Sequence, residues 1–187
     1  MNQPLKSILS DKKLFSLEQL TDKIKLDSFH CHIQEYNDYF FQEAIKSQKD
    51  QMALTWLLRE RSTGTIVAYM SLIADAIKLS TTEKELHLLN YPFKTVPAMK
   101  IAKLAVSSKF QKIYRGIGSL MVEMAIQIAE SCNEQHFACR FITVDADIEH
   151  NKTVINFYIK NGFIPNDETG KKRLKTISMR RDILFQA

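Results

Sequence analysis

Glycine and proline are scarce in this chain of 187 residues, with five and four respectively. That scarcity excludes collagen-like repeats and Gly/Pro-rich linkers. Cysteine is scarcer still: Cys31, Cys132 and Cys139 are odd in number and show no C-x-x-C spacing. A disulfide framework or a zinc site is not expected, and free thiols, buried or half-buried, are. No apolar run approaches the roughly 18–20 residues needed to span a bilayer. The opening stretch MNQPLKSILSDKK lacks an apolar segment ending in small residues, so no signal peptide, no membrane association and a cytoplasmic location are expected. Internal repeats are missing as well, and the chain reads as one domain over residues 1–187. What is present is ordinary for a soluble globular protein: 45% hydrophobic and 25% charged residues. The net charge of +5 suits an anionic ligand without demanding one.

Periodicity supplies the elements. Residues 11–26 hold a short amphipathic stretch, read as strand and turn. Tyr36, Tyr39, Phe40 and Ala44 fall at helical spacing, which predicts a helix over 34–49. Ala53–Leu58 and Thr65–Leu72 read as strands joined by a hairpin turn at Arg59–Gly64. Ile73–Leu79 is compatible with strand or helix, and Glu83–Tyr91 with helix. Met99–Val106 reads as a strand. The clearest helix is Ile117–Glu130, where Ile117, Leu120, Met121, Met124, Ala125, Ile128 and Ala129 form one apolar stripe. Cys139–Ala146 reads as a buried strand. Asn151–Asn161 follows as a short helix with Asn151 as N-cap and Gly162 as its stop. Phe163–Pro165 and Leu174–Ile183 complete the chain as strands. From Met99 onward, strand, turn, helix and strand alternate, which implies a mixed α/β architecture with parallel pairing around the long helix.

Two of the five glycines, Gly116 and Gly118, sit between a predicted strand and the best helix. Amides at a helix start lack intrahelical acceptors and lie at the positive end of the dipole. Such a turn holds a pyrophosphate through backbone N–H groups, with Arg115 adding a charge-assisted contact. G-x-G alone also suits a tight connection with no ligand. A Rossmann fingerprint is excluded, because its third glycine position is Met121, and no P-loop pattern occurs.

KLAVSSKFQKIYRGIGSLMVEMAIQIA (Lys103–Ala129) and NKTVINFYIKNGF (Asn151–Phe163) resemble the GNAT superfamily of acetyl-CoA-dependent N-acetyltransferases. In that family a strand ending in LAV precedes a [QR]-x-x-G-x-[GA] turn, and a later helix carries FY, a lysine and a GF pair. Gly116, Gly118, Phe157, Tyr158, Lys160, Gly162 and Phe163 match. Ile113 departs, standing where the family has Gln or Arg, which leaves Gln111 or Arg115 to compensate. The resemblance is strong over about residues 97–165, the expected coenzyme-binding core. Phe29–Gln48 (FHCHIQEYNDYFFQEAIKSQ), PAMKIAKLAV and ITVDA further resemble a branch that includes toxins of toxin–antitoxin pairs. Those toxins acetylate the amine of aminoacyl-tRNA and are neutralised by ribbon-helix-helix antitoxins.

The resemblance implies a GNAT-like central mixed sheet flanked by helices, with acetyl-CoA as cosubstrate and no metal. Ile113, Tyr114, Arg115, Gly116, Ile117, Gly118 and Ser119 would cradle the pyrophosphate. Leu104, Ala105 and Val106 would run beside the thioester, and Asn151 would touch the pantetheine arm or simply cap its helix. Tyr158 would donate a proton to the departing thiolate, as a phenol with an ordinary pKa of about 10 can at neutral pH. No strong base is evident. Asp145, Asp147, Glu149 and His150 are the nearest acids and histidine, read chiefly as turn and capping residues. An α-amine, whose pKa is near ~8, suits a site without a base better than a lysine near ~10.4. The acceptor is therefore an amine of a small molecule, a protein or aminoacyl-tRNA. A coenzyme-binding sensor or partner subunit with little turnover is the alternative outside catalysis. A homodimer is a family-level expectation. His30, Cys31 and His32 have no further ligand at metal spacing, and Cys31 is expected to be buried. Lys171, Lys172, Arg173 and Lys175, with Arg180 and Arg181, read as a solvated turn and edge strand, with a phosphate-contacting face as the alternative.

Overall fold

The computed structural model describes residues 14–166 and 175–184. Seven strands hydrogen-bond in the order β1-β2-β3-β4-β5-β7-β6. They are β1 (Phe15–Gln19), β2 (Leu54–Glu60), β3 (Ile66–Ile77), β4 (Val96–Val106), β5 (Phe141–Asp147), β6 (Ile164–Pro165) and β7 (Thr176–Asp182). The helices are α1 (Gln34–Asp38), a π-helical turn at Tyr39–Glu43, α2 (Ala44–Lys49), α3 (Thr81–Leu86), α4 (Ser108–Ile113), α5 (Ile117–Gln135) and α6 (Val154–Lys160). This is a mixed sheet flanked by helices, as the alternation in the sequence implies. The chain divides into two compact units, residues 1–73 with 102–124, and residues 74–101 with 125–187.

In the first unit, β1 and β2 pair antiparallel, as do β2 and β3. The predicted hairpin forms: Gly64 adopts φ +71°, and Arg59 Nε donates to its carbonyl at 2.8 Å. Leu20, Phe29, Phe40, Ala44, Leu57, Ile66, Tyr69 and Ala105 make one core cluster, to which Cys31 also belongs. Each large apolar side chain buried here contributes about 1.5–3 kcal/mol. Cys31 is fixed by reciprocal bonds with Asn37: its N–H donates to Oδ1 and its carbonyl accepts from Nδ2, both at 2.9 Å. Helix α4 was not expected from the sequence. Six residues are too few to show periodicity. It is held by Ser107 N–H to the Val67 carbonyl, Ser108 N–H to the His30 carbonyl, and the buried Phe110.

In the second unit, β4 and β5 pair parallel from Ala98↔Phe141 to Ile101↔Val144, the predicted parallel pairing. β5 and β7 are antiparallel, and β6 pairs with β7. The ambiguous segment after Ile73 continues as strand to Ile77. The next helix starts at Thr81 because Ser80 and Glu83 form a capping box. The Ser80 hydroxyl accepts from the Glu83 amide, and the Glu83 carboxylate accepts from the Ser80 amide.

Three expectations are corrected. β7 is not an edge strand, since it lies between β5 and β6. Its Arg180 is 2% exposed, not solvated. Lys171, Lys172 and Arg173 lie outside the described residues. Asn151 is not the N-cap of its helix: α6 begins at Val154 after Thr153, and Asn151 Oδ1 instead accepts from the Thr153 amide (2.9 Å) and hydroxyl (2.8 Å). These two bonds close a turn ahead of α6 in which the Asn151 side chain is held by Thr153 rather than by the first helical amides.

Arg180 is tolerated in the interior because its Nε and Nη1 groups find acceptors there. Its guanidinium pairs with Glu83 and donates to Asn166 Oδ1 (2.8 Å), the Pro165 carbonyl (3.3 Å) and His87 Nε2 (3.2 Å). Accepting there, His87 must donate through Nδ1 to Asp182, 2.7 Å away. Arg140 completes the network with two bonds to Asp182 at 2.8 and 2.9 Å. Burial pushes the Asp182 carboxyl up, but the bonds from Arg140, the Leu184 amide and His87 outweigh it and hold it below the ordinary value.

Candidate active site

Strand β4 leads directly to the glycine turn. Leu104 and Val106 are half-buried and Ala105 is buried. The Val106 carbonyl accepts from Gln111 Nε2 at 3.3 Å, so that amide is spent on the end of β4. Ile113 ends α4 with an exposed apolar side chain. Tyr114 follows, stacked on Phe110 with centroids 6.2 Å apart and meeting Phe15 edge-on at 5.4 Å. The chain then reverses through Arg115 and Gly116. Gly116 adopts φ +90°, a region costly for residues with a Cβ.

The first α5 amide bonded within the helix is that of Leu120, which donates to the Gly116 carbonyl at 2.9 Å. The amides of Ile117, Gly118 and Ser119 precede it, at the positive end of a 19-residue helix. The helix is anchored by its apolar stripe. Ile117, Leu120, Met121, Ala125 and Ala129 are buried, and Met124 and Ile128 half-buried. A dipole end, unsatisfied donors and an arginine together are the chemistry an anionic diphosphate requires.

In the second unit, Tyr158 occupies the third-last position of α6. The helix stops in a Schellman motif. Gly162, at φ +79°, donates to the Ile159 carbonyl (3.0 Å), and Phe163 donates to the Tyr158 carbonyl (3.0 Å). The GF pair thereby acquires a physical role. Gly162 supplies the left-handed turn, and Phe163 folds back so that its ring meets Tyr158 edge-on at 5.3 Å. Phe157 packs against the same ring at 5.0 Å. Burial, and then the Asp147 charge, push the Tyr158 phenol up to about 12.

The acids at the end of β5 and just after it are engaged with neighbours. Asp145 pairs with Lys100 at 2.9 Å, Asp147 with His150 at 2.8 Å, and Glu149 with Lys175 at 3.1 Å. Thr143 donates to Asp75, which lies 4.0 Å from Lys100. Among the described residues, no group of three His, Cys, Asp or Glu side chains is placed to hold a metal ion. No described helix is long and apolar enough to cross a membrane. Two features escape a sequence reading, the buried Arg180 network and the placement of Lys103 over Tyr36 and Tyr39. For the second, the signal was available in Tyr36 and Tyr39, three residues apart on one helix face.

The order of strand, glycine turn, helix, strand and tyrosine-bearing helix along the chain is the order found in acyl-coenzyme A transferases of the family that matches this sequence. The chain belongs to the acetyltransferase (GNAT) family, whose model matches residues 17–163. It is accordingly an acetyl-CoA-dependent acetyltransferase. A comparison with curated proteins returns no match. Among solved structures the fold is similar to that of a bacterial toxin, with a TM-score of 0.75, 17% identity, and coverage of 91% of this chain and 92% of that one. It is similar also to AtaT complexed with acetyl-methionyl-tRNAfMet (TM-score 0.71, 19% identity, 88% and 93% covered). AtaTR bound with acetyl-CoA is a third (TM-score 0.71, 18% identity, 91% and 94% covered).

Proposed function

We propose that this chain acts as one domain that transfers the acetyl group of acetyl-CoA to an amine by direct attack, with Tyr158 as general acid. The observation that carries the reading is Tyr158 itself, a buried phenol fixed by a Schellman stop, whose burial favours the protonated form that a general acid needs. The amides of Ile117, Gly118 and Ser119, with Arg115, hold the pyrophosphate, and Ile113 and Tyr114 shape the approach. Ile113 has no polar group to offer, so binding rests on the backbone. Leu104, Ala105 and Val106 line the thioester, with an amide of Leu104 or Ala105 donating to its carbonyl oxygen as charge develops there. Asn151, freed from the capping role, is exposed beside its turn and contacts the pantetheine arm. The amine attacks the acyl carbon, the C–S bond breaks, and the thiolate takes the phenol proton. No metal takes part.

The acceptor we favour is the α-amine of aminoacyl-tRNA, which would make the protein a toxin restrained by a ribbon-helix-helix antitoxin. The likeness to AtaT carrying acetyl-methionyl-tRNAfMet supports this, as does the likeness, at 17% identity, to AtaT bound to the C-terminus of its antitoxin AtaR. The net charge of +5 and the scarcity of a strong base point the same way. A cytoplasmic homodimer accords with that role.

The test is labelled acetyl-CoA incubated with RNA, protein and metabolite fractions, comparing wild type with Tyr158→Phe. The expected outcome is label in the RNA fraction, a loss in kcat of about 10²–10⁴ for the variant, and unchanged coenzyme affinity. Transfer by Tyr158→Phe within threefold of wild type would remove the tyrosine from its role. Label in protein or metabolites alone would reassign the acceptor.

A further inference from the structure

Lys103 stands on β4 immediately before Leu104 and Ala105. Its ammonium lies 4.8 Å from the centroid of the Tyr36 ring and 5.7 Å from that of Tyr39. Strand alternation puts Lys103 on the face of β4 that carries Ala105, whose side chain joins the buried cluster of Phe40 and Tyr69. The two rings beneath the ammonium are themselves fixed. The Tyr69 hydroxyl donates to the Tyr36 carbonyl at 2.8 Å, and its ring stacks on Phe40 at 4.5 Å and lies 6.4 Å from Tyr39. The π-helical turn begins at Tyr39, where such turns widen a helix, often beside a functional site.

Among the described residues, no carboxylate lies within ion-pair distance of Lys103. Lys100, three residues earlier on the same strand, is by contrast bound to Asp145 at 2.9 Å. β4 therefore presents one neutralised lysine and one positioned, uncompensated positive charge. The residue that carries the second directly precedes Leu104 and Ala105, whose amides are assigned to the thioester oxygen, and β4 carries no carboxylate at all.

We propose that Lys103 does the work of the missing general base: its fixed charge lowers the proton affinity of the acceptor amine, so that the amine reaches the thioester neutral. This rests on the acyl-transfer reading above. The incoming ammonium gives its proton to water before attack. The neutral nitrogen then bonds to the acyl carbon, the C–S bond breaks, the thiolate takes the Tyr158 proton, and the second nitrogen proton leaves to solvent, from which Tyr158 is replenished. A like charge several ångströms away shifts an amine by about one pH unit at a partly solvated site.

The experiment measures kcat from pH 6 to 10 with labelled acetyl-CoA for wild type, Lys103→Met and Lys103→Arg. Three acceptor probes are used: methionine amide, a peptide with a free N-terminus and a lysine, and mixed aminoacyl-tRNA at the pH values its ester survives. Lys103→Met should lose about tenfold at pH 6.5 and converge on wild type above pH 9, its acid limb displaced upward by about one unit. Lys103→Arg should keep the wild-type limb. Should the Met variant not fold, Lys103→Gln carries the same test. A loss of equal size at every pH, or superimposable profiles, overturns this inference and leaves acyl transfer standing. Wild-type transfer to none of the three probes overturns the acyl-transfer reading and this inference with it.

Discussion

Replacing Arg180 by methionine preserves most of the side-chain length and apolar stem while deleting the charge. Arg180 is 2% exposed and its principal partner Glu83 is 6% exposed, so neither is compensated by solvent when the other is lost. The variant takes the guanidinium away from the buried Glu83 carboxylate, and removes donors from Asn166 Oδ1 and the Pro165 carbonyl. Breaking a buried pair from one side costs about 3–5 kcal/mol. At this chain length that corresponds to a fall in Tm of about 6–20 °C. The assay is thermal and urea denaturation followed by circular dichroism, with m-values checking that both variants unfold alike. The pairwise origin is tested by Arg180→Met/Glu83→Gln, which removes both charges together. That double variant should be more stable than Arg180→Met alone by at least about 1 kcal/mol, the signature of a coupled pair. A Tm for Arg180→Met within about 3 °C of wild type, or strictly additive effects, would refute the argument that the buried arginine is held by its carboxylate.

Two further outcomes follow from the same chemistry. Asp182 has a folded-state pKa below its ordinary value, so its contribution is fully present above the unfolded value of about 3.9 and is lost as pH falls through the folded one. Wild type should lose stability below about pH 4 more steeply than Asp182→Asn, as read by urea midpoints at pH 3, 4 and 6. Gly162→Ala forces a Cβ onto φ +79° and should cost about 1–2 kcal/mol by thermal melt, with the loss centred on α6 and hence on Tyr158. A neutral result would mean that the Schellman stop is not what holds the tyrosine.

Much of this architecture was legible because it rests on local periodicity. The stripe from Ile117 to Ala129 can be buried only by a helix, and the β-branched run around Ile142–Val144 only by an interior strand. The glycine turn between Val106 and Leu120 followed from where two of five glycines fall. The S-x-x-E box at Ser80–Glu83 was equally local, and it alone would have placed the start of α3. Arg180 was not legible in that way. A cation in a basic run looks solvated, and its burial depends on Glu83 and His87, more than ninety residues earlier in the chain. Asn151 misled for a related reason. The side-chain chemistry that caps a helix also closes an Asx turn, and only backbone angles separate the two. At the site, the tyrosine and the turn could be named from the sequence, whereas the pairing of Lys100 and the freedom of Lys103 needed the third dimension.

The Arg180 network also has a consequence in time. Glu83 precedes Arg180 by 97 residues, so at synthesis rates of about 5–20 residues per second the carboxylate waits on the order of 5–20 seconds for its cation. Within that interval β5 is complete about 29 residues before β7 begins, so for about 1.5–6 seconds the β7-facing edge of Phe141–Asp147 is unpaired and mostly apolar. The second unit is therefore exposed to wrong pairing while it is being made.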